Sequence, residues 1–161
     1  MTLTNTIRQT IFNGTKKAAF LIALLLTLST TYSFARPADS ISGEIRTSFK
    51  KDFRNGQIMS TEVHNAFTKV TFKMNDMIMF AFYNNGGELL AVTRNILSTQ
   101  LPLDLLLNLK KDYSSYWITE LFEITGDSEN GYYISLENTD SKLTLRSNGD
   151  NWEVYTSAKK Q

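Results

Sequence analysis

His64 is the only histidine in the chain and stands two residues after Glu62, a pairing that could supply a general base or begin a metal site. A metal site needs several converging ligands, and the chain has no second histidine and no cysteine to complete one. His64 is therefore read as a solvated histidine at a strand end. Paired carboxylates are the other route to hydrolytic chemistry. Glu120 and Glu123 are an odd number of positions apart, so on one strand they point to opposite faces and cannot converge locally. Glu137, Asp140 and Asp150 fall at expected turns, where they suit solubilising edges. Asn75, Asp76 and the loop Asp127-Ser128-Glu129-Asn130 offer oxygen ligands without the glycine and terminal glutamate of a calcium loop. No nucleophile, base and orienting group can be assembled from these spacings, so no catalytic residue, metal or cofactor is assigned.

Two glycine-rich stretches, Asn84-Asn85-Gly86-Gly87 and Ser147-Asn148-Gly149-Asp150, resemble phosphate loops only in composition. A phosphate loop leads from a strand into a helix and uses the helix N-terminus as its anion site. These stretches stand between strand-like segments and read as hairpin tips, because such turns need residues that accept positive φ. The tetrapeptide Lys50-Lys51-Asp52-Phe53 returns as Lys110-Lys111-Asp112-Tyr113. Each copy sits where a helix should end, with lysines favouring the negative end of its dipole and covering apolar surface with their stems.

The offset of 60 extends beyond those letters. Ile41, Ile45 and Phe49 answer to Leu101, Leu105 and Leu109, and Ile58 answers to Ile118. A fourfold step keeps Ile41, Ile45, Phe49 and Phe53 on one stripe of a helix, with Asp39 or Ser40 as its N-cap and Asn55-Gly56 as its stop. The period then changes to two, predicting strands over 57–64, 66–74, 77–83 and 89–96. Leu101-Pro102 opens a second, leucine-rich helix, and further strands are predicted over 117–124, 131–138, 142–147 and 152–157. The expectation is an α+β protein of two tandem units, 36–98 and 99–161, each a helix packed on a four-stranded antiparallel meander. The two units together could count as one domain.

The first 35 residues are read as a signal peptide. Arg8, Lys16 and Lys17 form a basic start without an acidic residue, and the apolar run Ala18 to Leu28 is about half of the roughly 20 residues a membrane helix needs. Ser33 and Ala35 place small residues where a signal peptidase would cut after Ala35. An uncleaved anchor is the alternative. Removal of this segment lowers the 17 basic residues by three to 14 against 16 acidic ones, a mature charge of about −2. No basic field is left to attract nucleic acid. Without cysteine there is no disulfide and no lipid attachment through an N-terminal cysteine. The expected location is the periplasm or the exterior, soluble and without a membrane span after cleavage.

Thr93-Arg94-Asn95-Ile96 followed by Leu101-Pro102, the leucine-rich helix, Tyr113, Tyr116 and a strand around Ile118 complete a layout with two aromatic-ended helices and Asn-Gly hairpin tips. This layout resembles the β-lactamase-inhibitor-like, PepSY-like family of secreted bacterial proteins. The resemblance implies a helix on a four-stranded antiparallel sheet, repeated, in a periplasmic protein with no established catalytic activity whose exposed sheet face would bind another protein. The chain departs from that pattern in the strand beginning at Ile58, which lacks the tryptophan that Trp117 supplies in the second half. Lacking cysteine, it also cannot form the inhibitor's disulfide-braced loops.

The functional expectation is a non-enzymatic module of the cell envelope that recognises a protein or peptide through an exposed sheet face, or pairs with a second copy through an open sheet edge. Tyrosine is favoured at such surfaces because it offers area at low entropic cost. The expected contacts are Tyr83, Tyr133, Tyr155 and Lys69, with Asn84, Asn85 and Gly86 and the tip Asn148, Gly149 and Asp150 at the rim. Alternation leaves open which strand face is inside, since Phe80 and Phe82 compete with Met77, Met79 and Ala81. The alternative function is an envelope sensor with a small-ligand pocket between sheet and helix.

Overall fold

The computed structural model describes residues 41–127 and 129–160. The expected signal peptide, its cleavage after Ala35 and the linker 36–40 lie outside the described residues.

Helix α1 spans Gly43–Asp52 and α2 spans Leu103–Asp112. Ile45 and Phe49 on α1, and Leu105 and Leu109 on α2, are four residues apart, so each pair lands on one stripe and is buried. Ser42 caps α1, its hydroxyl accepting from the Ile45 N–H at 3.3 Å, in place of the expected Asp39 or Ser40. Glu44 and Asp104 stand in the first turns, and Lys50, Lys51, Lys110 and Lys111 in the last, each matching the helix dipole.

Eight strands follow in chain order: β1 (Gln57–Val63), β2 (Thr68–Met74), β3 (Met77–Tyr83), β4 (Leu89–Asn95), β5 (Trp117–Gly126), β6 (Asn130–Glu137), β7 (Ser141–Asn148) and β8 (Asn151–Lys159). They form one sheet in the order β1 to β8, every neighbour antiparallel. This corrects the expected α+β fold of two tandem helix-on-meander units. The described chain is mostly β, a single eight-stranded sheet with two short helices. The joining contact is β4 on β5, running from Ala91↔Gly126 to Asn95↔Phe122. Two separate meanders would each leave an open edge there with a row of unpaired backbone groups, and pairing β4 with β5 removes both edges. Periodicity within a strand carries no information about which strand lies beside it. The expected boundary between residues 98 and 99 falls in the 3-10 turn Ser98–Gln100 that precedes α2.

Both helices cover the same face. The register row Val70–Ala81–Val92–Thr125 runs across β2 to β5, and Glu123 and Leu121 continue its side along β5. Under α1, Ile45 and Phe49 pack on Val70, Phe72, Ala81 and Tyr83. The Phe72 ring meets Phe49 edge-on at 5.1 Å and Phe53 at 4.5 Å. Under α2, Leu101 and Leu109 pack on Leu121, Ile134, Leu136 and Leu145. Each large apolar side chain removed from water in this way contributes about 1.5–3 kcal/mol. The Trp152 indole N–H donates to the Leu105 carbonyl at 2.9 Å, tying α2 to the last strand.

The opposite face carries Phe82, Ala91, Phe122, Ile124 and Tyr133, all buried, with Tyr155 packed against them. No described helix covers this face. Phe67 joins the band from the β1–β2 turn, its ring 5.8 Å from Phe82. The band crosses the half of the sheet nearest the turns β1–β2, β3–β4 and β5–β6.

Candidate functional site

The other half of that face is a groove. Glu120 continues the alternation of Phe122 and Ile124 on the face free of described helices, and a bulge in β5 between Ile118↔Leu136 and Glu120↔Ser135 takes Thr119 out of register beside it. Ser135 pairs with Thr144, and Thr144 with Thr156, so Glu120, Ser135, Thr144 and Thr156 form one row across β5 to β8. Three short hydroxyl side chains beside one carboxylate leave space above the sheet. The resulting cleft has a volume of about 1030 Å³ and is walled by Asn95–Ser98 on one side and Lys142 and Ala158 on the other. Large apolar groups stand open beside it: Leu97 is 71% exposed and Trp117 50%.

The charges around the groove are unequally served. Lys142 and Lys160 each reach Glu137 at 2.9 Å, and these bonds hold its carboxyl below the usual carboxylate range. The Lys160 ammonium also lies 4.9 Å from the centre of the Trp117 ring. Lys69 binds Glu62 at 3.0 Å, and Arg146 binds Glu153 at 3.1 Å. Glu120 has no comparable partner among the described residues. Its tip reaches solvent, but the surrounding protein displaces enough water to raise its carboxyl above the usual value, and the more distant Lys142 and Lys69 offset this only in part.

The residues expected to bind a partner are divided by this geometry. Tyr83 lies on the helix-covered face, fully buried, with its hydroxyl donating to Asp52 at 3.1 Å. Tyr133 is on the opposite face but is 1% exposed, stacked on Phe122 at 5.5 Å and donating its hydroxyl to Glu129. Neither side chain is available to a partner in this conformation: both are core residues. Burial is the main cause of the upward shift of both phenols, with Asp52 and Glu129 adding to it. Tyr155 is half-buried, its ring edge-on to Tyr133 at 5.7 Å. Lys69 is on the groove-bearing face, over the Phe80 ring at 4.9 Å.

The two expected rims are hairpin tips, and the antiparallel order puts both at the end of the sheet away from the groove. Asn84 closes its own turn, its side-chain oxygen accepting from the Gly86 and Glu88 N–H groups at 3.0 and 2.9 Å. Asn85 donates to the Asn65 carbonyl at 3.2 Å, and Gly87, at φ +81, packs against Glu44 of α1. In the other tip, Asn108 of α2 donates to the Asp150 carbonyl at 2.9 Å, Gly149 takes φ +60, and Asn148 binds Glu153. His64 stacks on Phe67 at 4.5 Å, and its Nε2 is buried without a hydrogen-bond partner. Among the described residues, no group of three histidine, cysteine or acidic side chains could hold a metal ion.

Glu120 and its row were not picked out as a binding surface from the sequence. Ser135 and Thr144, small polar residues within otherwise apolar strands, were the available signal. Their alignment with Glu120 depends on the register between β5, β6 and β7, which alternation within one strand does not reveal.

A single antiparallel sheet with two helices on one face and a groove on the other defines the class of fold. No family profile and no curated protein matches this sequence. Solved structures do share its fold. A DUF2874 family protein from Bacteroides uniformis aligns with a TM-score of 0.65 at 8% identity, over 74% of this chain and 89% of that one. A BLIP-like protein from Bacteroides fragilis aligns at 0.63 and 12% identity, over 78% of this chain and 88% of that one. A protein of Bacteroides eggerthii predicted to be periplasmic aligns at 0.64 and 10% identity, over 73% and 88% of the two chains. The fold is thus that of BLIP-like and DUF2874 proteins. No described helix is long and apolar enough to cross a membrane.

Proposed function

We propose that the protein is a non-enzymatic binding module of the cell envelope, exported by residues 1–35, which holds a protein partner on the groove-bearing face of its sheet. The observation that carries this reading is the groove itself. An open cleft of about 1030 Å³ lies beside exposed Trp117 and Leu97, on a face where no described helix competes for the space. Exposed aromatic and aliphatic groups around a polar floor are the composition of a recognition surface. Likeness of fold to a BLIP-like protein fits the reading without supplying a partner, since function resides in the site rather than in the fold. Kinship with PepSY-like proteins rests on the motifs quoted from the sequence. The alternative, a small-ligand pocket beneath the leucine-rich α2, is disfavoured, because Leu101, Leu109, Leu121, Ile134, Leu136 and Leu145 are buried against one another there.

Affinity capture from an envelope extract tests the proposal. The protein should retain a specific partner, and Thr156→Trp, which fills the groove from an exposed position on the edge strand, should release it while the fold melts as before. Capture unchanged by Thr156→Trp would remove the groove from the reading.

A further inference from the structure

Of the other carboxylates on the groove-bearing face, Glu62 has Lys69, Glu137 has Lys142 and Lys160, and Glu153 has Arg146 within ion-pair distance, while Glu129 accepts the Tyr133 hydroxyl. Glu120 alone among them makes no ion pair within 4.0 Å and no side-chain hydrogen bond with a described residue. It also stands in the row of small side chains, Ser135, Thr144 and Thr156, that opens the groove. The neighbouring lysines are engaged with Glu137 and Glu62, so neither is free to turn toward it without breaking a bond of 2.9 or 3.0 Å.

A partly dehydrated carboxylate at the wall of a cleft, beside hydroxyl acceptors and exposed apolar groups, is complementary to one chemistry in particular. A long basic side chain can lay its methylene stem against Leu97 in the wall of the cleft and place its charge at Glu120. The geometry points to a protein partner that inserts a lysine or arginine side chain into the groove and pairs it with Glu120. This deepens the proposed function and rests on it. An acidic insert is disfavoured, because it would meet Glu120 and would have to displace Glu137 from Lys142. The upward shift of Glu120 supports the pairing, since an incoming cation would restore what burial removes.

The test is selection of a displayed random-peptide library on the protein expressed from its full chain and purified as the host processes it, in parallel with Glu120→Gln and Thr156→Trp. Peptides that bind wild type should be enriched in arginine or lysine at one position, by about tenfold or more, the weight of one charge-assisted hydrogen bond. Glu120→Gln should lose that enrichment, and Thr156→Trp should lose the binders altogether. Binders lost on Thr156→Trp but showing no basic preference, or keeping it on Glu120→Gln, would overturn the pairing while leaving the groove as a docking site. Binders that survive Thr156→Trp, or a failure to recover any, would overturn the groove and the pairing together.

Discussion

The hydroxyl of Tyr83, at the end of β3, donates to the carboxylate of Asp52, in the last turn of α1, across 3.1 Å. This bond fastens the C-terminal turn of the helix to the sheet beneath it, and it uses the aspartate of the first Lys-Lys-Asp segment. Tyr83→Phe keeps the buried ring and removes only the donor. The expected cost is about 1–2 kcal/mol, because Asp52 is exposed and can turn to water. A double-mutant cycle with Asp52→Ala, followed by denaturant unfolding, should return a coupling of about 1 kcal/mol. A coupling near zero would mean that the bond adds nothing to the fold.

Alkaline stability should depend on the same phenol. Tyr83 and Tyr133 both titrate above the ordinary tyrosine value of 10.0 when folded. The native state therefore holds these protons more tightly than the unfolded state. Their contribution is complete below about pH 10 and is lost as pH rises through the folded values. Unfolding midpoints should fall above about pH 10, and less steeply in Tyr83→Phe. An equal fall in both proteins would assign the loss to other groups.

Helix positions were legible in the sequence because the fourfold ladder from Ile45 to Phe49 and from Leu105 to Leu109 is local. Pairing of β4 with β5 was not legible: it depends on Ala91 meeting Gly126 across 35 positions, and no period within either strand encodes it. Tyr83 and Tyr133 illustrate the same limit. Each tyrosine belongs to an alternating strand, yet one lies beneath α1 and the other lies buried on the opposite face beside Phe122. Tyrosine is suited to surface and core alike, and the choice is made by a hydrogen-bond acceptor remote in sequence or across a turn, Asp52 or Glu129. Glu120 was legible as an acid on the face opposite Glu123, but its row with Ser135, Thr144 and Thr156 is made by pairings between strands.

Gly131 opens β6 at φ +154, and a Cβ there would collide with Ser147 Oγ. That oxygen accepts the Tyr132 N–H at 2.8 Å, so the collision would also strain a bond between β6 and β7. Gly131→Ala should destabilise the protein by about 1–3 kcal/mol through backbone strain, with any loss of the Tyr132 bond in addition. Gly149→Ala has open space around its Cβ and bears only the φ +60 strain, so it should cost less. Thermal melts of the two variants give the comparison, and equal losses would refute the role assigned to Ser147.

Glu120 should be a small burden on stability at neutral pH. Its folded carboxyl titrates above the ordinary value of 4.5, so the folded state binds this proton more tightly than the unfolded one. The resulting contribution favours folding fully below that value and disappears as pH rises through the folded one. Near neutrality the charge is present and its hydration is reduced by the surrounding protein, and Glu120→Gln removes it while keeping its shape. The variant should melt at or slightly above the temperature of wild type near pH 7, and the difference should close below about pH 4. Glu137 and Glu153 shift the opposite way and lose stability as pH falls, but they are common to both proteins and cancel in the difference. A variant less stable than wild type at neutral pH would make Glu120 a structural partner of Lys142 and Lys69. Equal or greater stability together with lost binding would mean that the carboxylate is held in the groove at the fold's expense, to meet a cation brought by something else.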